Sequence, residues 1–292
     1  MNAPFFTVIM PTYNRELFLQ RSIESILNQT FADFELICID DGSTDNSKEI
    51  IKKYSEKDQR IKYFYQKNQG RCIARNVGIE NTKGQWVCFL DSDDIYFPNH
   101  LLTMVDLINK FPEYMAYSSD QLINDQRKIY KDEKLNDNYY SLGLNDLIRF
   151  NPISLNQLCY NASKILLRFP NENIPISEDW MFVRQLSLET KILKTNTPTT
   201  NVTVHPGRTM ENATLSEIAK WNEYTSAIFI ENNSIEKSIK RSILSHTQLL
   251  CANILLSGKK KRSSFDHFKK ALRYPESYID LLFYKALIKY LI

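Results

Sequence analysis

Three carboxylates crowd into four residues where an apolar run ends. The stretch VCFLDSDDIYFP, Val87 to Pro98, carries Asp91, Asp93 and Asp94. Like charges this close either stand in water or share a cation. Asp91 and Asp93 are one residue apart, so at an extended strand end their side chains point to one face. Carboxylate oxygens are hard ligands suited to Mg²⁺ or Mn²⁺, ions that stay partly hydrated and are shared with substrate phosphates. The alternative is a polar loop that closes a strand and caps the helix opened by Pro98. An EF-hand is the weaker reading, because the sixth loop position, which requires glycine, is Tyr96.

Two further polar clusters follow apolar runs: PTYNR after FTVIM, and DDGSTD after FELICI. The second reads as a turn built from Asp, Gly, Ser and Thr. It is not the D-x-D-G-T loop of haloacid-dehalogenase-like phosphatases, since Ile39 stands where the first carboxylate is needed. Neither G-x-G-x-x-G nor G-x-x-x-x-G-K-[ST] occurs, which removes dinucleotide and P-loop phosphate cradles. Further on, Ser177-Glu178-Asp179 opens a helical pattern, an N-cap followed by acids that suit the helix dipole.

The elements that would position these clusters alternate. The strand-like runs FTVIM, FELICID, IKYFYQ and QWVCFL are separated by helical patterns, among them one with Leu19, Ile23, Ile26 and Leu27 on one side. Such alternation predicts an α/β fold, a mostly parallel sheet with helices on both faces. Ligands of such sheets sit beyond the carboxyl ends of the strands, where all three clusters fall. LCYNASKIL and KILKTNTPTTNVTVH read as later strands flanking a helix that begins at SEDWMFVRQL. Beyond Met210 the pattern is helical throughout.

The segments VIMPTYNRELFLQRSIESILNQTFADFELICIDDGSTDNS, NQGRCIARNVGIENTKGQWVCFLDSDD and SEDWMFVRQL, in this order and spacing, resemble the successive motifs of family-2 glycosyltransferases with the GT-A fold. The likeness covers the first two-thirds of the chain. It implies a catalytic domain over residues 1–211, with a nucleotide-sugar half at about 1–110 and an acceptor half at about 111–211, plus a helical extension over 212–292. It implies that Pro11, Thr12, Tyr13, Asp41 and Asp91 hold the nucleotide, and that Asp93 ligates Mn²⁺ or Mg²⁺. His205 matches a metal-side histidine, and is otherwise a hydrogen-bonded residue at a strand end. Asp179 matches the catalytic base, with Glu178 in support. Arg75 sits at a common family position, where structural ion pairing is the plainer reading. The activity implied is metal-dependent, inverting, non-processive transfer of a sugar from a nucleotide-diphospho-sugar, UDP-linked, to a saccharide or lipid-linked glycan. VRQLSLE stands where processive members carry Q-x-x-R-W. The alternatives are a nucleotidyltransferase, for which PTYNRELF lacks the glycine-rich phosphate loop, and an inactive module that binds sugar nucleotides or membranes.

The 292 residues carry a net charge of only +3, too little to argue for nucleic acid. Between Ser257 and Ile292, however, nine Lys or Arg face three acids. That basic stretch with the apolar YIDLLFYKALIKYLI suits either an anionic membrane surface or packing against protein, including a second subunit. Aromatics do not interleave with it as in RNA-binding modules. Five scattered cysteines without C-x-x-C spacing fit a reducing cytoplasm. The apolar run at the start lacks a basic region before it and stops at Pro11, unlike a signal peptide. The expected location is the cytoplasm or the inner face of its membrane.

Overall fold

A computed structural model describes residues 3–127, 138–258, 260–280, 282–283 and 285. Most of the expected terminal helix YIDLLFYKALIKYLI, together with Lys259 and ten residues of the polar stretch after β7, lies outside them. The elements in order are β1 (Phe6–Thr12), α1 (Glu16–Leu27), β2 (Phe34–Asp41), α2 (Ser47–Ser55), β3 (Ile61–Gln66), α3 (Arg71–Glu80), β4 (Trp86–Phe89), β5 (Ile95–Tyr96), α4 (His100–Lys110), β6 (Ala116–Ile123), β7 (Gln126–Arg127) and β8 (Tyr139–Leu142). After α5 (Leu144–Leu147) come β9 (Leu158–Asn161), α6 (Glu178–Glu189) and β10 (Ile192–Val202). The chain then continues as α7 (Thr209–Asn212), α8 (Leu215–Ile230), α9 (Lys237–Ser257) and α10 (Lys261–Ala271).

Contacts divide the chain into two units. The first gathers Met1–Gly143, Ile153–Ile174 and Leu186–Val204, and holds the whole sheet. Its strand order is β3-β2-β1-β4-β9-β6-β10-β5, with β7 on β6 and β8 on β10. β1, β2, β3 and β4 run parallel, with β1, β2 and β4 buried on both faces as their apolar runs suggest and β3 half-exposed at the sheet's edge. β9 is antiparallel to both β4 and β6, and β10 returns parallel to β6, so β9 joins two parallel blocks, while β5, β7 and β8 pair antiparallel at the margins.

The period of two in β1 divides its side chains between the faces. Phe6, Val8 and Met10 join Leu19, Ile23 and Ile26 of α1 in one fully buried cluster. Ile9 faces α3 instead, where Gly78 lets the helix approach so closely that an added Cβ would stand 2.4 Å from Ile9 Cγ2. All eight residues of β2 are buried, which brings the paired acids Asp40 and Asp41 to the strand's end with little water around them.

The second unit gathers Leu144–Pro152, Pro175–Gln185 and His205–Ile292. α8 opens with a capping box in which Thr214 and Glu217 satisfy each other's backbone amides. α9 packs Leu249 and Ala252 against Phe268 and Ala271 of α10. Among the described residues no helix is long and apolar enough to cross a membrane. All five cysteines are buried thiols.

Candidate active site

The carboxyl ends of β1, β2 and β4 lie side by side in the first unit, and there the crowding of Asp91, Asp93 and Asp94 is resolved three different ways. Asp94, 1% exposed, is structural: its Oδ2 accepts from Asn156 Nδ2 at 2.6 Å and its Oδ1 from the Thr203 amide at 2.7 Å. Asp91 accepts a hydrogen bond at 2.8 Å from Nη2 of Arg75, a guanidinium buried on α3. Asp93 Oδ2 accepts from Arg15 Nε at 3.1 Å. Each of the latter two acids thus carries a cationic partner, which offsets the burial of Asp93 and, in the Arg75 pair, that of the guanidinium. Arg75 therefore forms the ion pair expected of it, and its partner is the first acid of the D-x-D pattern.

The loops around these acids are laced together. After β1, Asn14 adopts φ 51°, and its amide donates to Ser43 Oγ at 3.1 Å while its Oδ1 accepts from the Thr44 amide at 2.8 Å. The Arg15 and Glu16 amides donate to Ser47 Oγ and Asp45 Oδ2. Burial raises the Asp45 carboxyl, and the bonds from Ser47 and Glu16 outweigh it, so the net shift is downward. Thr12 is buried in this weave, whereas the Tyr13 ring stands 45% exposed above it.

Asp41 does more than line the edge. Its Oδ1 accepts from Gln66 Nε2 at 2.6 Å and from the Gln69 amide at 2.9 Å, and its Oδ2 accepts from the Gly70 amide at 2.9 Å. A carboxylate from β2 thus caps the start of α3, satisfying amides that no helical carbonyl reaches. Gly70 at φ 92° makes the turn, and a Cβ there would meet Asn173 Oδ1 at 2.2 Å. Neighbouring Asp40 is used likewise, accepting from the Ser43 amide and from Tyr63 Oη.

Pro11, Thr12, Tyr13, Asp41, Asp91 and Asp93 therefore share one sheet edge in the first unit. Glu178, Asp179 and His205 belong to the second unit. There Asp179 is half-buried at the start of α6, with Oδ1 accepting from the Trp180 amide at 2.7 Å and Oδ2 from Asn151 Nδ2 at 3.4 Å. Glu178 is buried. Ser177 before them adopts φ 67°, an uncommon conformation for a residue with a Cβ, and donates to Asn222 Oδ1 at 3.1 Å. The helix is gripped from below. Trp180 Nε1 and Arg184 Nε both donate to the Leu147 carbonyl, and Arg184 also reaches the Ile148 carbonyl and Ser226 Oγ. Burial lowers the Arg184 guanidinium to about 9. His205 Nδ1 accepts from the Gly207 amide at 3.2 Å.

Among the described residues no three His, Cys, Asp or Glu side chains gather closely enough to hold a metal on their own. Hard oxygens at Asp91 and Asp93 suit Mg²⁺ or Mn²⁺ taking its remaining ligands from phosphate and water, as these ions commonly do. Sequence reasoning missed Arg15, Arg21 and Asn156. Arg15 lies within the PTYNR cluster and was legible as a cation near an anion site. Arg21, which donates to the Asp93 carbonyl at 2.9 Å, and Asn156, whose Oδ1 accepts from the Asp91 amide at 2.8 Å, left no signal in their local sequence.

The profile of glycosyl transferase family 2 matches residues 7–186. An uncharacterized glycosyltransferase of Haemophilus influenzae is 37% identical over 196 residues, 65% of this chain and 75% of that protein. One of Rickettsia bellii is 43% identical over 122 residues, 42% of this chain, which spans only 18% of that longer relative. In fold, Staphylococcus aureus TarS 1–349 in complex with UDP-GlcNAc matches with TM-score 0.69 and 20% identity over 93% of this chain and 82% of that one. The Pyrobaculum calidifontis mannosyltransferase PcManGT, in complex with GDP-Man and Mn²⁺, matches with TM-score 0.62 and 16% identity over 98% and 85%.

Proposed function

The chain belongs to glycosyl transferase family 2, with the GT-A fold, and from that premise we propose that it moves a sugar, with inversion and one residue at a time, from a UDP-sugar to a hydroxyl of a saccharide or lipid-linked glycan. The observation that carries this reading is the edge shared by β1, β2 and β4. It gathers Asp91, Asp93 and two guanidinium groups next to Pro11–Tyr13 and Asp41, an assembly of hard oxygens and cations suited to a diphosphate. Two proteins of like fold bind nucleotide sugars, TarS a UDP-sugar and the mannosyltransferase GDP-Man with Mn²⁺, which supports the donor class and the use of a dication.

In this reading Asp91 helps hold the nucleotide and Asp93 would hold Mg²⁺ or Mn²⁺, which when bound supplies positive charge against the departing diphosphate. Tyr13, the most exposed residue of the loop, covers the nucleoside, and Asp41 keeps the Gln69–Gly70 turn beneath it in place. Asp179 takes the proton from the acceptor hydroxyl as its oxygen attacks the anomeric carbon, Glu178 supports it, and attack opposite the leaving group inverts the centre. His205 is a further candidate ligand, but its Nδ1 accepts the Gly207 amide and so leaves the imidazole proton on Nε2; Nε2 would ligate only once that bond is exchanged for one in which Nδ1 donates.

The test is release of nucleoside diphosphate from a panel of UDP- and GDP-sugars with Mn²⁺ or with chelator. Turnover of a UDP-sugar that chelator abolishes, and that Asp93→Ala and Asp179→Ala each lower by about 100-fold or more, is the expected outcome. Turnover insensitive to chelator and to both substitutions overturns the mechanism.

A further inference from the structure

Arg15 ties two loops that the reaction must use together. Its Nε donates to Asp93 Oδ2 at 3.1 Å, while its Nη1 donates to the carbonyls of Tyr13 and Asn14 at 3.3 and 3.1 Å. The guanidinium is thus held between the loop that covers the nucleoside and the acid that would ligate the metal. Both partners are mostly out of water, with side chains 23% and 12% exposed, so neither is screened as a surface pair would be. Asp91 is matched by Arg75 in the same way, and Asp94 is occupied by Asn156 and Thr203.

The charge balance at this edge has a consequence for a dication. Asp91 and Asp93 face Arg75 and Arg15, and the Arg21 guanidinium stands on the Asp93 carbonyl at 2.9 Å, so without nucleotide the edge presents little net attraction to a cation, and one lone pair of Asp93 already accepts an N–H. A dication on Asp93 would also stand against the Arg15 charge at close range, where repulsion is strong in a poorly hydrated site. A nucleoside diphosphate reverses this. It brings several negative charges and offers the Arg15 fork the phosphate oxygens that guanidinium groups bind best.

We propose that Arg15 makes metal binding conditional on the nucleotide: it is the counter-ion of Asp93 in the free protein, passes to the diphosphate when the nucleotide arrives, and so releases Asp93 to the cation. This rests on the sugar-nucleotide reading above. Binding of metal and of nucleotide are then coupled, and by linkage the coupling factor is the same measured from either side.

The experiment is Mn²⁺ titration of the full chain followed by the electron-paramagnetic-resonance signal of free Mn²⁺, with and without UDP, and the converse titration of UDP by calorimetry with and without Mn²⁺. In the wild type, UDP is expected to tighten Mn²⁺ binding by about tenfold or more. In Arg15→Gln, Mn²⁺ binds the nucleotide-free protein about tenfold more tightly and the coupling shrinks by the same factor. Arg15→Lys, which keeps the charge but not the fork, keeps the weak Mn²⁺ binding of the nucleotide-free protein with a smaller coupling to UDP, whereas Arg60→Gln, whose partner Asp58 lies in another loop, stays near the wild type. Equal Mn²⁺ affinity with and without UDP in the wild type overturns the proposal, as does an Arg15→Gln protein whose free-state affinity is unchanged. If UDP binds and sugar nucleotides are hydrolysed while the coupling is absent, the gate alone fails. If no nucleoside diphosphate binds, the sugar-nucleotide reading fails with it.

Discussion

Replacing Asp41 with Asn tests whether this acid is first a cap for α3. The change is nearly isosteric, so packing at a site 3% exposed is preserved and only hydrogen bonding and charge differ. Asp41 accepts three donors, two on Oδ1 and one on Oδ2. Asn has one acceptor oxygen. Its better rotamer leaves that oxygen facing Gln66 and Gln69, and turns its amide group toward the Gly70 N–H, donor against donor. An amide left without an acceptor costs about 1–3 kcal/mol, and the two surviving bonds each weaken by about 0.5–1 kcal/mol on losing the charged acceptor. The expected loss is about 2–5 kcal/mol, read as a lower urea midpoint at unchanged slope. Hydrogen exchange gives the local readout, because the Gln69 and Gly70 amides should lose protection while those of β6 and β10 keep theirs. A loss under about 0.5 kcal/mol with both amides still protected would refute the capping argument.

Other substitutions probe other parts of the molecule. Burial lowers the His100 imidazole to about 3, whereas the unfolded chain protonates it near 6.5. Its stabilisation is therefore complete above about pH 6.5 and is lost as pH falls toward 3, about 3 kcal/mol of it by about pH 4.5. His100→Gln should remove that component, and equal acid sensitivity of the two proteins in urea unfolding would contradict it. Gly78→Ala gains helix propensity but drives a methyl against Ile9 Cγ2 at 2.4 Å and Ile39 Cδ1 at 3.0 Å. Crowding against a stiff β-branched chain prevails, so a thermal melt should register a net loss of about 1–3 kcal/mol, and a higher midpoint would sink the packing argument. Arg184→Met withdraws the donor from the Ile148 carbonyl and from Ser226 Oγ, while the Leu147 carbonyl keeps Trp180 Nε1, and should cost about 1–3 kcal/mol. Arg184→Lys lacks the fork and should recover little in the same denaturation assay.

The parallel half of the sheet was legible because its signals are local. FELICID is apolar on both faces and became β2, Phe34–Asp41, and the spacing of Leu19, Ile23 and Ile26 became the buried side of α1. β6 was not anticipated, since AYSSDQLI carries a polar middle that only its neighbours β9 and β10 make into a strand. The strand read in LCYNASKIL stops at Asn161, and the one containing PTTNV survives its proline because the register with β6 shifts at Pro198. In the site, one-residue spacing identified Asp91 and Asp93 as a pair, yet no local rule separates them from Asp94. What does so is contact with Asn156 and Thr203, far along the chain. The grouping of Leu144–Pro152 and Pro175–Gln185 with the last helices is likewise a matter of tertiary contact.

The turn at Gly70 limits how this protein can be re-engineered. With φ at 92° and Asn173 Oδ1 where a methyl would go, position 70 admits no side chain unless the backbone moves. Lys67, Asn68 and Gln69 just before it are exposed, and only the main chain of Gln69 is committed to Asp41. Diversity introduced at those three side chains, with residue 70 held as glycine, should alter the exposed surface beside the β2 edge while leaving the scaffold folded.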